Sequence, residues 1–318
     1  MMRGLLIGLI LCFAALPAAA QIDPAEPEGC AVPELRALAT VGMITDVVRE
    51  VGGSCVAVTG LMGTGVDPHL YLATEADVEL LFEAQIIFYG GLNLEARLTG
   101  VFEQVERGLG TPVVAVSESI PEELILQEPG YDAPDPHVWM DVSLWMYAVE
   151  AIRDALIERL PGRAGYLRAN AEAYLDALED LDAYVREQIA RIPAEQRLLV
   201  TAHDAFQYFS RAYGIDVYAP QGITTAAEAG VDDIRATIAL LIERQIPALF
   251  VETSVAPDVV EAIQAGARAR GLDVQIGGSL FSDALGEEGT PEGTYIGMIR
   301  HNADTIAAAL SGSAEQES

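Results

Sequence analysis

Residues 162–192 read GRAGYLRANAEAYLDALEDLDAYVREQIARI, and this stretch decides how the rest of the chain divides. From Arg163 to Ile192 it is polar and rich in helix formers, with no glycine after Gly165. Tyr174, Leu178 and Leu181 recur at helical spacing, and Pro193 stops the pattern. A helix this long, with one apolar stripe, predicts a connector between two bodies.

On either side of it, apolar runs alternate with amphipathic stretches. Before the helix, strands are expected at Leu35–Val41, Cys55–Leu61, Gln85–Tyr89 and Pro112–Val116. After it they are expected at Leu198–Thr201, Ile215–Tyr218, Ala248–Glu252 and Leu272–Ile276. Four strand-helix units, a long helix and four more units predict an α/β fold of two lobes. Each lobe holds a mainly parallel four-stranded sheet flanked by helices, and one long rigid helix joins them. The expected boundaries are an N-terminal lobe 31–162, a linking helix 163–193, a C-terminal lobe 194–312 and a disordered tail 313–318. Such folds bind ligands at the carboxyl ends of their strands, and between two lobes in the cleft.

The N-terminus sets the compartment. Arg3 precedes an apolar run from Gly4 to Leu16, and small residues Ala18, Ala19 and Ala20 follow Pro17 before Gln21. That layout predicts a signal peptide over 1–20, because the apolar core is shorter than the roughly 20 residues a spanning helix needs. Cys12 follows Leu11 inside that core rather than a small residue, so the expectation is a soluble periplasmic protein without a lipid anchor. The chain has 48 acidic residues against 18 basic ones, every one of them arginine, for a net charge of −30. A surface this acidic repels nucleic acid and anionic lipid, so both are excluded as partners, and it concentrates cations nearby. The same acidity also suits solubility or a saline habitat, so it excludes partners better than it names one. Beyond the signal segment two cysteines remain, Cys30 and Cys55. In an oxidising compartment an even pair without CxxC spacing reads more readily as a disulfide than as a metal site.

Three of the four histidines fall just past the carboxyl end of an expected strand or in the loop it feeds. His69 lies in GTGVDPHLY, His137 in YDAPDPHVW and His203 in LLVTAHDAF. One such histidine is ordinarily an exposed or hydrogen-bonded side chain. Three in equivalent places point to a shared ligand. The tripeptide Asp-Pro-His occurs twice, at 135–137 and 67–69, and proline stiffens the backbone on both sides of its own φ. Stiff presentation suits a preorganised metal site. Imidazoles need an anionic oxygen to offset the charge of the ion. In GGSLFSDALGEEGTPEGTY Asp283 is the best placed carboxylate, ahead of Glu287, Glu288 and Glu292. Three histidines and an aspartate suit Zn2+, Mn2+ or Fe2+, and the absence of thiolate disfavours Cu(I). His301, in MIRHNADTI, sits on a C-terminal amphipathic helix and reads as structural. Asp67, Asp141, Glu228 and Glu252 are unranked candidates to hold the outer ring nitrogens.

The segments VGMITDVVREVGG, GTGVDPHLY, DPHVWMD, TAHDAFQYFSRAYGI, QGITTAAEAG, LFVETS and LFSDALGEEGTPEGTYIGMIRHNADTI are similar to those of TroA-type metal receptors. These are the periplasmic binding proteins that serve ABC transporters of zinc, manganese and iron. The similarity runs in order from about Arg36 to Leu310. It implies a metal buried between two lobes, with ligands at His69, His137, His203 and Asp283. It also implies a periplasmic, monomeric solute-binding protein that delivers the ion to a membrane permease. At the third ligand manganese-selective members often have glutamate; His203 resembles the subset able to hold zinc as well. Dedicated zinc receptors often carry a long His-rich loop before the second ligand, whereas Ser117–Pro136 is short and has no histidine. The metal is therefore left open between Zn2+ and Mn2+, as cargo rather than a catalytic cofactor. Two alternatives stand beside this reading. A metal-dependent hydrolase would need an open coordination position and a general base, and no HExxH motif is present. A surface adhesin with a structural metal would need an exposed apolar patch.

Overall fold

The structure, a computed structural model, describes residues 28–127 and 133–311. The expected signal segment 1–20 and tail 313–318 lie outside the described residues.

The first half alternates as its apolar runs dictate: β1 (Leu35–Ala39), α1 (Gly42–Gly52), β2 (Val56–Gly60), α2 (Glu75–Glu83), β3 (Ile86–Tyr89), α3 (Thr99–Leu109) and β4 (Val113–Ala115). The four strands form one parallel sheet in the order β2-β1-β3-β4. Apart from the exposed Arg36, its central strands β1 and β3 are apolar and largely buried, as expected of a parallel sheet flanked by helices. In α1, Met43, Ile44, Val47, Val48 and Val51 are all buried, so one face of the helix carries the packing. A capping box starts α2, with the Thr74 hydroxyl taking the Asp77 amide and the Asp77 carboxylate taking the Thr74 amide.

Two helices then follow without a strand. The Asp141 carboxylate caps α4 (Val142–Arg159) by accepting from Ser143 N and Leu144 N. The 27 residues of α5 (Ala164–Ala190) span about 40 Å at 1.5 Å per residue. Leu167, Ala171, Tyr174, Leu178, Leu181, Val185 and Ile189 bury a stripe along its whole length, as the sequence spacing requires.

The second half comprises β5 (Leu198–Val200), α6 (Gln207–Tyr213), β6 (Asp216–Tyr218), α7 (Val231–Arg244), β7 (Ala248–Glu252), α8 (Asp258–Arg268), β8 (Gln275–Leu280) and α9 (Tyr295–Leu310). All pairings are parallel, but the four strands pair by twos, β5 with β6 and β7 with β8, rather than in a single four-stranded ladder. Ala202 N and His203 N both donate to the Glu252 carboxylate, each at 2.9 Å, so a side chain occupies the place of main-chain pairing where β5 runs beside β7. Strand β8 also lies further along than its apolar run suggests, ending at Leu280. A Cβ on Gly277 would sit 2.7 Å from Ala309 and 2.8 Å from Phe250. Glycine there permits close packing against α9 and β7 at the expense of strand-like composition.

Helix α5 packs on α1, α4 and α9, and a continuous apolar core runs through both halves. The buried Asp46 carboxylate accepts from Tyr174 OH and Tyr295 N, both at 3.0 Å, pinning α1, α5 and the start of α9 together. Cys30 and Cys55 form a disulfide that ties the segment before β1 to the start of β2 across 25 residues. Closing a loop of that size removes enough unfolded-state entropy to stabilise the fold by about 3.5 kcal/mol. Reduction with dithiothreitol is expected to lower the urea-unfolding free energy by about that amount; an unchanged unfolding midpoint would mean that the cross-link adds nothing.

Candidate metal centre

The strand ends deliver the four expected ligands to one place. His69 comes from the loop after β2, His137 from the turn before α4, His203 from just past β5 and Asp283 from just past β8. One candidate ligand atom from each lies within 4.8 Å of every other. His137 Nε2 is 3.3 Å from both His69 Nε2 and His203 Nε2. The Asp283 oxygens sit 3.4 Å from His137 Nε2, 3.3 Å from His203 Nε2 and 3.8 Å from His69 Nε2. A tetrahedral ion with bonds of about 2.0–2.1 Å has ligand edges of roughly 3.3–3.4 Å, close to four of these five separations, with His69 to Asp283 longer at 3.8 Å.

The set is buried: His137 and His203 are 0% exposed, Asp283 1% and His69 7%. Among the described residues neither Asp283 oxygen makes a well-aligned hydrogen bond, and the groups nearest to them are the three imidazoles. A buried carboxylate with both oxygens unsatisfied and three imidazoles around it fits a cation and little else.

The two Asp-Pro-His turns share a backbone bond and differ at the ring. Asp67 Oδ1 accepts from His69 N at 2.8 Å, and Asp135 Oδ1 accepts from His137 N at 2.9 Å, the local turn that aspartate favours. Asp135 Oδ1 also holds His137 Nδ1 at 2.7 Å, which aims Nε2 at the centre. Asp67 instead turns its second oxygen to Thr225 Oγ1, 2.5 Å away in the second half. Glu252 does for His203 what Asp135 does for His137: its Oε2 holds His203 Nδ1 at 2.5 Å while Oε1 takes the two amides of that turn.

Of the four candidates for holding ring nitrogens, then, Glu252 does so. Asp141 serves as a helix cap, Glu228 is exposed, and Asp67 holds only the backbone of His69. Asp135 was missed although it stands two residues before its histidine in the repeated motif. Its role depends on a side-chain rotamer that composition does not specify. Outside the cluster, Glu288 pairs with Arg49 on the surface, and His301 Nε2 meets the Ser279 carbonyl at 3.0 Å with Glu292 nearby.

The electrostatics follow the geometry. Burial and the two neighbouring imidazoles push the His69 pKa down to about 3, against the pull of Asp283. For His137, burial opposes charging, but Asp135 and Asp283 outweigh it and raise the pKa to about 10. For His203, burial is likewise outweighed by Glu252 and Asp283, and the pKa rises to about 9. Burial would raise the Asp283 pKa, yet His203 and His137 hold it well below the usual carboxylate range. Around the buried carboxylate, then, protonation is favoured at His137 and His203 and disfavoured at His69.

Residues 38–309 match the family described as zinc-uptake complex component A, periplasmic. The chain is 47% identical to the zinc-binding protein TroA of Treponema pallidum over 309 residues, 96% of this chain and 95% of TroA. It is 43% identical to the manganese-binding lipoprotein MntA of Bacillus subtilis over 277 residues, 87% of this chain and 90% of MntA. The solved structure of the periplasmic zinc-binding TroA superposes with a TM-score of 0.84 at 49% identity, covering 87% of this chain and 99% of TroA.

Glu252→Gln retains the size and one oxygen acceptor but places an amide where a carboxylate meets His203 Nδ1. It is expected to weaken metal binding about 10- to 100-fold in calorimetric titration with the fold intact. Unaltered affinity would remove Glu252 from any role in orienting His203.

Proposed function

The chain belongs to the periplasmic zinc-uptake component A family, and from that premise we propose that it captures one divalent transition-metal ion, Zn2+ or Mn2+, and delivers it to the permease of an ABC transporter. The observation that carries this reading is the convergence of three imidazole Nε2 atoms on a buried Asp283 carboxylate that has no other partner. His69, His137, His203 and Asp283 are the ligands in this proposal. Residues 31–162 and 194–312 are the two lobes, and 163–193 is the helix between them. The family is made of substrate-binding transport proteins. Four protein ligands complete a tetrahedron and leave no open position for a reacting water, which supports binding rather than catalysis here. The relatives are periplasmic or lipid-anchored, and the acidic surface suits a periplasmic monomer that avoids nucleic acid.

Zinc-binding TroA and manganese-binding MntA are both close relatives, so the ion is assigned by class. Protein stripped with chelator is expected to melt higher when Zn2+ or Mn2+ is restored, with about 4 kcal/mol of added stability at a thousandfold excess over the dissociation constant. His203→Ala should abolish most of that gain. No shift with either ion would sink the proposal.

The proton linkage has a definite sign. His137 and His203 are protonated near neutrality in the free site because their pKa values are raised to about 10 and about 9, whereas coordination needs neutral nitrogens. Binding therefore expels about two protons near pH 7, and affinity climbs with pH until roughly pH 9–10 rather than levelling off above the ordinary imidazole range. His69, already neutral, contributes none. Calorimetry in buffers of different ionisation enthalpy counts the protons; a count near zero at pH 7 would contradict the assigned protonation states.

A further inference from the structure

Tyr208 is fully buried on α6, five residues beyond His203, and its hydroxyl reaches out of the second half into the first. There it meets the segment that carries Asp135. The Asp135 amide donates to the Leu126 carbonyl at 3.0 Å, and Gln127 and Pro134 form an antiparallel bridge beside that bond. The return bond expected of such a pair would run from the Leu126 amide to the Asp135 carbonyl. Instead, Leu126 N donates to Tyr208 Oη at 3.0 Å, and Tyr208 Oη donates to the Asp135 carbonyl at 2.9 Å. The phenol is thus inserted into the pair as a relay. Its ring is held in turn by the Arg211 guanidinium, 5.1 Å above its centre, whose Nη1 donates to the Leu124 carbonyl at 2.8 Å.

We propose that Tyr208 is a positioning residue for metal capture: through its hydroxyl, the segment bearing His203 fixes the backbone of Asp135, and Asp135 fixes the ring of His137. The connection is short. From the His203 turn, α6 leads directly to Tyr208, and from Asp135 one side-chain bond reaches His137 Nδ1 at 2.7 Å. Two ligands from opposite halves are thereby coupled without passing through α5. Displacing α6 takes the acceptor of the Leu126 amide and the donor to Asp135 with it, and so breaks two hydrogen bonds of a side chain that is 0% exposed. The proposal rests on the assignment of His137 and His203 as ligands.

Tyr208→Phe removes only the oxygen and keeps the ring under Arg211. Tyr213→Phe is the matched control. Tyr213 is on the same helix, and its hydroxyl accepts from Val142 N at 3.3 Å and donates to Asp182 at 3.1 Å, so it loses a similar pair of bonds away from the site. Zn2+ and Co2+ are titrated into chelator-stripped full-length protein, with melting temperature recorded alongside. Tyr208→Phe is expected to lower affinity for both ions about tenfold, as loss of a group that orients a ligand does, and to alter the intensity of the visible Co2+ bands. Tyr213→Phe is expected to lower the melting temperature but to leave affinity and bands as in the unaltered chain. Wild-type affinity and spectrum in Tyr208→Phe would overturn the proposal, as would an equal loss of affinity in Tyr213→Phe. If the unaltered chain bound neither ion, the metal-site assignment itself would fall and the proposal with it.

Discussion

A carboxylate at Asp283 with both oxygens buried, and with no neighbours close to them other than three imidazoles among the described residues, is the constraint on which the rest of the structure turns. An uncompensated charge in that position would cost several kcal/mol. It is tolerable only because three imidazoles from three other chain segments crowd around it and keep positive charge within reach. The parallel arrangement of strands makes that crowding possible, since it sends the carboxyl ends of β2, β5 and β8 toward one region. None of the four groups could be buried there alone, so the site and the packing of the two halves have to form together.

The frame around this region resists large motion. Helix α5 is packed along its full length, and the interior is continuous from one half to the other. Hydrogen bonds also cross close to the site. Trp139 Nε1 donates to the Ser282 carbonyl at 2.9 Å, Tyr295 Oη to the Trp139 carbonyl at 2.7 Å, and Thr64 Oγ1 to the Gly286 carbonyl at 2.9 Å. Trp139 lies two residues beyond His137 and Ser282 immediately precedes Asp283, so these bonds register two ligand loops against each other. A wide hinge opening would break all of them together with the apolar core. Small loop displacements are the cheaper route by which an ion could enter and leave.

Much of this was legible in the chain itself, and the reasons are specific. Helix α5 was evident because a regular apolar stripe with no internal glycine admits one conformation. The histidines of the cluster stood out because histidines are few and because Asp-Pro-His occurs twice. Asp283 was set ahead of Glu287, Glu288 and Glu292 on spacing alone, and the structure buries it beside the three histidines. The pairing of the second-half strands by twos was not legible, because apolar runs mark strands without saying which strand lies beside which, and the Glu252 contacts that link β7 to the turn after β5 span 49 and 50 residues. Strand β8 was placed too early because Gly277 and Gly278 carry no strand signal, whereas close packing demands them. The role of Asp135 was hidden by its own motif. Asp67 stands in the same place before the other histidine and turns its free oxygen to Thr225, so local sequence is equivalent and only the surroundings differ.

Charge bookkeeping explains how such a site can stay buried through a cycle of loading and release. With the pKa values of His137 and His203 raised and that of His69 lowered, the proposal has the free site carrying two protons, on His137 and His203. A divalent ion brings two positive charges and needs both of those nitrogens bare. Exchange of two protons for one ion therefore leaves the total charge of the buried cluster unchanged. In a low-dielectric interior a change of net charge is the expensive step, far more than a change in which cation carries it. The orienting carboxylates Asp135 and Glu252 consequently have the same task in both states, first to stabilise an imidazolium and then to fix a neutral ring with its bare nitrogen facing the ion. A monovalent ion would leave the cluster one charge short after displacing both protons, so the same balance that permits burial also favours divalent cargo.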